Sequence, residues 1–382
     1  MTISPKPKVI VFSDHLLYPS ETFIRSQASA LSAFEPIFAG SRRVAGLELP
    51  DDKTYTINKG GLRGALLEFA FKLAGFAPGF AQRLSALKPV LMHAHYAANG
   101  FRVLPLVKHL RLPLVVTLHG SDITATDTRY EPLRFGQRRY LANKEKLQKN
   151  GSLFLAVSNF LRRKLLQQGF PQEKVLVHYI GVNTSIFHPA STERERLILF
   201  VGRFVECKGV ELLIQAAAEV QNHLPDTELV LIGDGSLRSS LEIQAKSLLR
   251  RYQFLGACSP EDVRMWMNRA SVICAPSIRA RSGAEEAFGM VCAEAQAVAK
   301  PVVAFNSGGI SEVVAHERTG FLAPEGNCRA LAQYLILLLE SPELRQQFGH
   351  EGRRRVLEAF DLEQRTRVLE SIYANVASQI LH

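Results

Sequence analysis

Residues Pro276 to Gly309 read PSIRARSGAEEAFGMVCAEAQAVAKPVVAFNSGG. Ahead of them, Ser271 to Ala275 is an apolar strand. Phe288 to Val298, with Ala, Met, Val, Glu and Gln, suits a helix, and Pro301 to Phe305 reads as a short buried strand before a turn at Gly308-Gly309. Strand, loop, helix, strand is one unit of a parallel sheet, and such sheets take ligands outside the carboxyl ends of their strands. Glu286 therefore falls where a ligand would lie, with the backbone N–H groups of Phe288, Gly289 and Met290 opening the helix toward it. A helix start with a glycine suits an anion. Glu294 falls two turns further in, on the same face if helical phase is kept. An arbitrary pair of glutamates at this spacing would be solvated helix residues. Here the apolar run MVCA between them argues for a buried helix whose carboxylates need partners.

The chain has 382 residues and is 47% hydrophobic, enough for two domains with separate cores. No apolar run reaches the length of a membrane span. The N-terminal stretch MTISPKPKVIVFS passes directly into a strand without a small-residue cleavage site, so no signal peptide is expected. Cys207, Cys258, Cys274, Cys292 and Cys328 are odd in number and widely spaced, the pattern of reduced thiols in a cytoplasmic protein. Charge is unevenly divided. Residues 1–190 hold 25 Lys+Arg and 12 Asp+Glu, a net of +13, whereas residues 191–382 hold 21 and 24, a net of −3. No nucleic-acid-binding pattern accompanies the excess base, so nucleic acid is not expected as a partner; an anionic membrane surface or an anionic acceptor suits it better.

Along the first half, Lys8 to Ser13 is a strand, and Ser20, Glu21 and Thr22 begin a helix. Leu62 to Phe76 is a helix, almost wholly apolar apart from a stripe of Gly64, Glu68, Lys72 and Gly75. Burial within a domain is the expectation, and dipping into a membrane the alternative. Val90 to Ala94 and Leu114 to Leu118 are strands separated by a helix from Ala97 to Leu110, and each ends in histidines. His93 and His95 share a strand face at a spacing compatible with a zinc pair, but no third ligand is placed to complete it. His119-Gly-Ser-Asp122 follows the second strand, either as part of a site or as a strand-end turn. Arg129 to Asn150 reads as one long basic helix, carrying Arg134, Arg138, Arg139, Lys144, Lys146 and Lys149. Leu153 to Val157 and Val175 to Tyr179 are further strands. Gly181 through Arg196 reads as a linker.

The second half opens with a strand from Leu197 to Gly202. Gly202 lets backbone approach a ligand, Arg203 offers a planar fork for phosphate oxygens, and Lys208 precedes Gly209 and a helix from Val210 to His223. Two cations beside a helix start can replace a metal as the counter-charge of a diphosphate. The next strand, Glu228 to Ile232, ends in Gly233-Asp-Gly235. It lacks the third glycine of a dinucleotide fingerprint, which disfavours an oxidoreductase.

Glu286-Ala-Phe-Gly-Met-Val-Cys-Ala-Glu294 resembles the E-x7-E signature of the retaining GT-B glycosyltransferases, glycosyltransferase family 4, and Val201-Gly-Arg-Phe-Val-Glu-Cys-Lys-Gly209 resembles that family's G-R…K-G diphosphate loop. The likeness extends over nearly the whole chain and is more specific in the C-terminal half. It implies a GT-B fold, α/β, with two Rossmann-like domains facing each other across a cleft. The acceptor domain would span residues 1–190 and the donor domain 191–361, with a helix over 362–382 crossing back to the first. It implies retaining transfer of a hexose from a UDP-sugar to an acceptor hydroxyl, the acceptor being a glycan or a lipid-linked sugar of exopolysaccharide or other surface-glycan synthesis, with no metal and no cofactor. A cytoplasmic protein, peripheral on the inner face of the membrane, fits that role.

Carried onto this chain, the resemblance gives Glu294 to the ribose hydroxyls, Glu286 to hydroxyls of the donor sugar, and Arg203 and Lys208 to the leaving diphosphate. His119 would reach the donor sugar with Asp122 in support. Leu255, Gly256 and Ser277 would sit by the base, and Phe288, Gly289, Met290 and Val291 belong with the donor site. Ser20, Glu21 and Thr22 would face the donor phosphate or simply cap their helix, and His95, Gly233 and Gly235 are secondary candidates. A nucleotide-sugar epimerase and a non-catalytic nucleotide-sugar-binding subunit are the rival readings.

Overall fold

The computed structural model describes residues 5–124, 135–190 and 196–378. Residues 129–134 of the expected basic helix, Arg134 among them, residues 191–195 of the expected linker and residues 379–382 of the expected crossing helix lie outside the described residues. The chain forms two compact units that divide between Gly181 and Val182 and again between Asp361 and Leu362.

The first unit opens with β1 (Lys8–Phe12), the two-residue β2 (His15–Leu16), α1 (Thr22–Ser29), β3 (Glu35–Gly40), the two-residue β4 (Arg42–Arg43) and β5 (Thr54–Thr56). Helices α2 (Gly61–Ala74) and α3 (Pro78–Ser85) follow, then β6 (Pro89–His95), α4 (Ala97–Leu110), β7 (Leu114–Leu118) and α5 (Ser121–Thr124). It continues through α6 (Phe135–Leu141), α7 (Lys144–Asn150), β8 (Leu153–Ala156), α8 (Asn159–Gln167) and β9 (Val175–Val177). Seven strands join in the order β5-β3-β1-β6-β7-β8-β9, all parallel, so Asp14, Tyr96 and His119 follow strands at the same carboxyl edge. Runs such as KVIVF and LVVTL are aliphatic and β-branched, as strands buried on both faces require.

The second unit holds β10 (Leu197–Val201), α9 (Val210–His223), β11 (Glu228–Ile232), α10 (Arg238–Leu248), β12 (Tyr252–Gly256), α11 (Pro260–Arg269) and β13 (Val272–Ala275). Then come α12 (Met290–Ala297), β14 (Val302–Phe305), α13 (Ile310–Val313), β15 (Gly320–Ala323), α14 (Cys328–Glu340) and α15 (Pro342–Ala359). Its six parallel strands run in the order β12-β11-β10-β13-β14-β15. On α9, Val210, Leu213, Ile214, Ala217 and Val220 are buried at helical spacing and pack with Ile198, Phe200, Leu229 and Leu335 in one core.

The last helix, α16 (Leu362–Ser378), belongs to the first unit. Its Leu369, Tyr373 and Val376 share a core with Val9, Leu91, Val115 and Leu155. Glu370 accepts hydrogen bonds from the N–H groups of Ser32 (2.5 Å) and Ala33 (2.6 Å). The crossing helix is thus fixed by apolar burial and by a carboxylate receiving backbone donors.

Three expectations need correction. The described part of the expected basic helix, residues 135–150, is two short helices, α6 and α7, interrupted at Ala142-Asn143, where the Asn143 side chain donates to the Arg139 carbonyl at 3.0 Å. The segment after Gly181 is no free linker. Val182 donates to the Phe360 carbonyl (2.7 Å), Arg353 to the carbonyl of Phe187 (2.8 Å), and Ala190 to the Asn268 side chain (2.7 Å), so the second unit begins before the division expected at 190/191. Finally, α2 is not buried. Its polar stripe faces inward, and its leucines face out.

Candidate active site

In the second unit, β10, β11, β12 and β13 end together, and the expected donor residues gather at that edge. The loop after β10 returns through Gly209, whose Cβ, if it had one, would lie 1.9 Å from the Pro276 carbonyl oxygen, while φ there is +63°. Only glycine permits that approach. The contact sets Lys208 beside the segment after β13, and its ammonium forms an ion pair with the Glu286 carboxylate. Burial alone would raise the Glu286 pKa, but Lys208 and the N–H groups of Gly289 and Phe288 outweigh it and hold it below the usual range. Burial alone would likewise lower Lys208, and Glu286 raises it above an ordinary lysine. Arg203 is exposed, and its charge acts on Lys208 from nearby.

Glu286 lies in the loop before α12, whose N-cap is Gly289, so no continuous helical phase relates it to Glu294. Of the amides that open the helix, those of Phe288 and Gly289 meet the chain's own Glu286 carboxylate. On α12 itself Cys292, Ala293, Ala295, Gln296 and Ala297 are buried, leaving Met290, Val291 and Glu294 as the partly open strip. Burial pushes the Glu294 carboxyl up to about 7. The Phe288 ring packs against Phe360 at 5.4 Å, leaving only its backbone for a ligand. Ser277 is buried, Leu255 and Gly256 are half-buried at the end of β12, and a Cβ on Gly233 would lie 1.8 Å from the Gly202 oxygen.

In the first unit, three histidines line up at the ends of β6 and β7. His93 is a satisfied core residue, bonded to the Tyr373 hydroxyl (2.5 Å) and the Thr117 hydroxyl (2.7 Å). His95 Nδ1 lies 3.0 Å from His119 Nε2, with the rings stacked. His119 Nδ1 is buried without a partner among the described residues. Burial first, and His93 second, lower the His119 pKa to about 3, so its imidazole is neutral. Asp122 is a backbone clamp, accepting from the N–H groups of Ala97 (2.6 Å) and Gly120 (3.2 Å), and it holds the start of α4 and the turn after His119. Glu21 is buried and accepts from the Tyr18 N–H (2.8 Å), with burial raising its pKa, whereas Ser20 is exposed and Thr22 half-buried.

Residues 182–355 match the family Glycosyl transferases group 1, and residues 38–186 match Glycosyltransferase Family 4. An uncharacterised glycosyltransferase of Methanocaldococcus jannaschii is 32% identical over 265 residues, 69% of this chain and 69% of the relative. The chain belongs to the group 1 glycosyltransferases. The amylovoran biosynthesis glycosyltransferase AmsK of Erwinia amylovora is 29% identical, across 65% of this chain and 60% of its own. Among solved structures, Anabaena HepE in complex with UDP and glucose matches with a TM-score of 0.76 at 20% identity, covering 96% of this chain and 99% of that one, a likeness of fold.

In each unit of this glycosyltransferase, further residues that the sequence does not single out lie beside the candidate ones. Tyr96 has φ +71°, a backbone conformation unfavourable for a tyrosine, and its ring packs on His119 at 4.9 Å. Its side chain also bonds to Glu21, linking the α1 start to the histidines. Arg281 pairs with Glu206 (2.9 Å) and Arg279 with Glu285 (3.4 Å), adding cations to the loop that carries Glu286. The only cue for Tyr96 is its place after a strand ending in HAH, and the arginines sit in a loop with no periodicity to read.

Proposed function

We propose that this enzyme transfers a glucose-type hexosyl group from a UDP-sugar to an acceptor hydroxyl with retention and without a metal, in exopolysaccharide or other surface-glycan synthesis at the cytoplasmic face of a membrane. The observation that carries the reading is the Lys208–Glu286 pair set on the amides of Phe288 and Gly289, with Arg203 beside it. Fixed cations and a fixed carboxylate meet there, at the strand edge where a sugar diphosphate would need both. As the bond from the anomeric carbon to the β-phosphate oxygen breaks, the electron pair goes to the phosphate. Arg203, Lys208 and the amide at Met290, joined by that at Gly289 once the Glu286 carboxylate turns to the sugar, stabilise that growing charge more in the transition state than before it. The departing phosphate oxygen takes the acceptor's proton while the acceptor oxygen bonds to the anomeric carbon, leaving UDP and a glycoside.

Glu286, released from Lys208 by the diphosphate, accepts from hydroxyls of the sugar, and Glu294 accepts from those of the ribose. Neutral His119 serves the sugar through its unpartnered Nδ1. The choice of UDP is supported by HepE, solved with UDP and glucose, and that of pathway by AmsK, named for amylovoran biosynthesis. A thermal-shift panel of nucleotide sugars tests the donor: a UDP-hexose at one hundred times its dissociation constant stabilises by about 2.7 kcal/mol, and a GDP- or ADP-sugar does not. Turnover of that donor should vanish in Glu286→Ala. Preference for another nucleotide, or undiminished turnover in the variant, overturns the reading.

A further inference from the structure

Helix α2 is turned against its composition. Gly64, Glu68 and Phe71 face inward, while Leu62, Leu66 and Phe69 are 79%, 61% and 61% exposed, with Leu67 and Leu73 exposed beside them. The orientation is held from beneath. Glu68 accepts from Asn58 (2.7 Å) and pairs with Lys72 and with Arg42 (3.6 Å), while Asp14 pairs with Arg102 (2.9 Å) and Lys72 (3.8 Å). At its far end the Arg139 guanidinium of α6 donates to the carbonyls of Lys72 (2.8 Å) and Leu73 (2.7 Å). A helix that keeps its one carboxylate under the protein and five large apolar side chains outside presents a built surface.

We propose that this face of α2 enters the headgroup region of an anionic phospholipid bilayer and docks the enzyme there. A second copy of the chain would cover leucines equally well. The surrounding charge selects lipid. Lys59 and Arg63 are exposed at the start of α2, and α6, tied to its end by Arg139, exposes Arg138 and Leu141. The sole acid of α2, Glu68, is buried. A basic rim around an apolar patch complements an anionic leaflet, with the side chains taken up by the acyl boundary and the cations held at the headgroups. The inference rests on the reading above only for the placement of the acceptor, because docking needs neither donor nor turnover.

The test is co-sedimentation of the full chain with phosphatidylcholine vesicles, with and without phosphatidylglycerol, at low and high salt. Three proteins are compared: the unaltered chain, a Leu62→Ser/Leu66→Ser/Phe69→Ser variant and a Lys59→Glu/Arg63→Glu variant, with thermal melts confirming that each is folded. The unaltered chain should bind the anionic vesicles at low salt and release in high salt. Its partitioning should fall more than about tenfold in the serine variant and about fivefold or more for each cation reversed. Binding with no sugar transfer in any assay still supports docking. Failure of the unaltered chain to bind anionic vesicles overturns it and leaves the transferase reading standing. Equal binding by the serine variant also overturns it, since charge alone would then account for attachment. So does a dimer that ignores vesicles and that the serine variant converts to monomer, since the face would belong to a second copy.

Discussion

The family resemblance implies different parts of the donor for Lys208 and Glu286, the diphosphate for one and the sugar for the other, yet in the folded chain they hold each other. On the proposed reading, the pairing holds both charges in place until a phosphate offers Lys208 a second anion. Lys208→Ala should therefore lower kcat about 10²–10³-fold, the effect of losing one preorganised donor to transition-state charge, about 2.7–4 kcal/mol. Circular dichroism and steady-state rates check this, and near-normal turnover would remove Lys208 from the diphosphate. Glu294 gives a pH prediction. Its folded pKa of about 7 lies above the unfolded value of 4.5, so the folded chain keeps a proton that the unfolded chain has lost. That contribution to stability is complete below pH 4.5 and is lost as pH rises to about 7. The ionised form is the better acceptor for ribose hydroxyls, so UDP affinity should rise as pH passes through about 7. Glu294→Gln should weaken UDP binding and flatten that rise in calorimetric titrations. A variant with the parental pH profile would take the ribose away from Glu294.

At the level of elements, most strands and several helices were legible because their chemistry is local. Val210–His223, Ala97–Leu110 and Glu228–Ile232 form over the stretches their periodicity predicts. The failures have a common cause in tertiary context. Strand β3 carries Pro36 and does not read as a strand, and the orientation of α2 is set by Asp14, Arg42, Asn58 and Arg102, none of them in the helix. A hydrophobic pattern tells how a helix is striped; which stripe faces the protein depends on what waits beneath it. The site loops were legible through glycine. Gly209→Ala forces a Cβ toward the Pro276 oxygen at positive φ, so it should cost about 1–3 kcal/mol of stability and lower turnover together. Gly79→Ala, with nothing within 4 Å, serves as the control and should melt within about 0.5 kcal/mol of the parent in urea titrations. Equal effects at the two positions would mean that the Gly209 loop yields without consequence to the site.

Over the whole molecule, charge and chemistry divide between the units. The second half has a net of −3, yet the edge where β10 to β13 end collects Arg203, Lys208, Arg279 and Arg281, so its cations are concentrated by folding rather than by composition. Two units were expected from chain length and from the resemblance to GT-B enzymes, whereas this concentration could not be read, because the arginines after β13 meet their acidic partners only through the loop's path. A nucleoside diphosphate needs its leaving charge neutralised by something. On the proposed reading, Arg203, Lys208 and the start of α12 supply that counter-charge without a metal. Sugar transfer should therefore persist in excess EDTA at the rate measured with added magnesium. It should fall steeply in a variant that combines Arg203→Ala with Lys208→Ala, and no divalent cation should restore it. If chelation abolishes transfer and magnesium or manganese restores it where equal ionic strength does not, the diphosphate depends on a metal. Arg203 and Lys208 would then have to be reassigned to holding the donor in its ground state, a role that would raise KM on substitution and spare kcat.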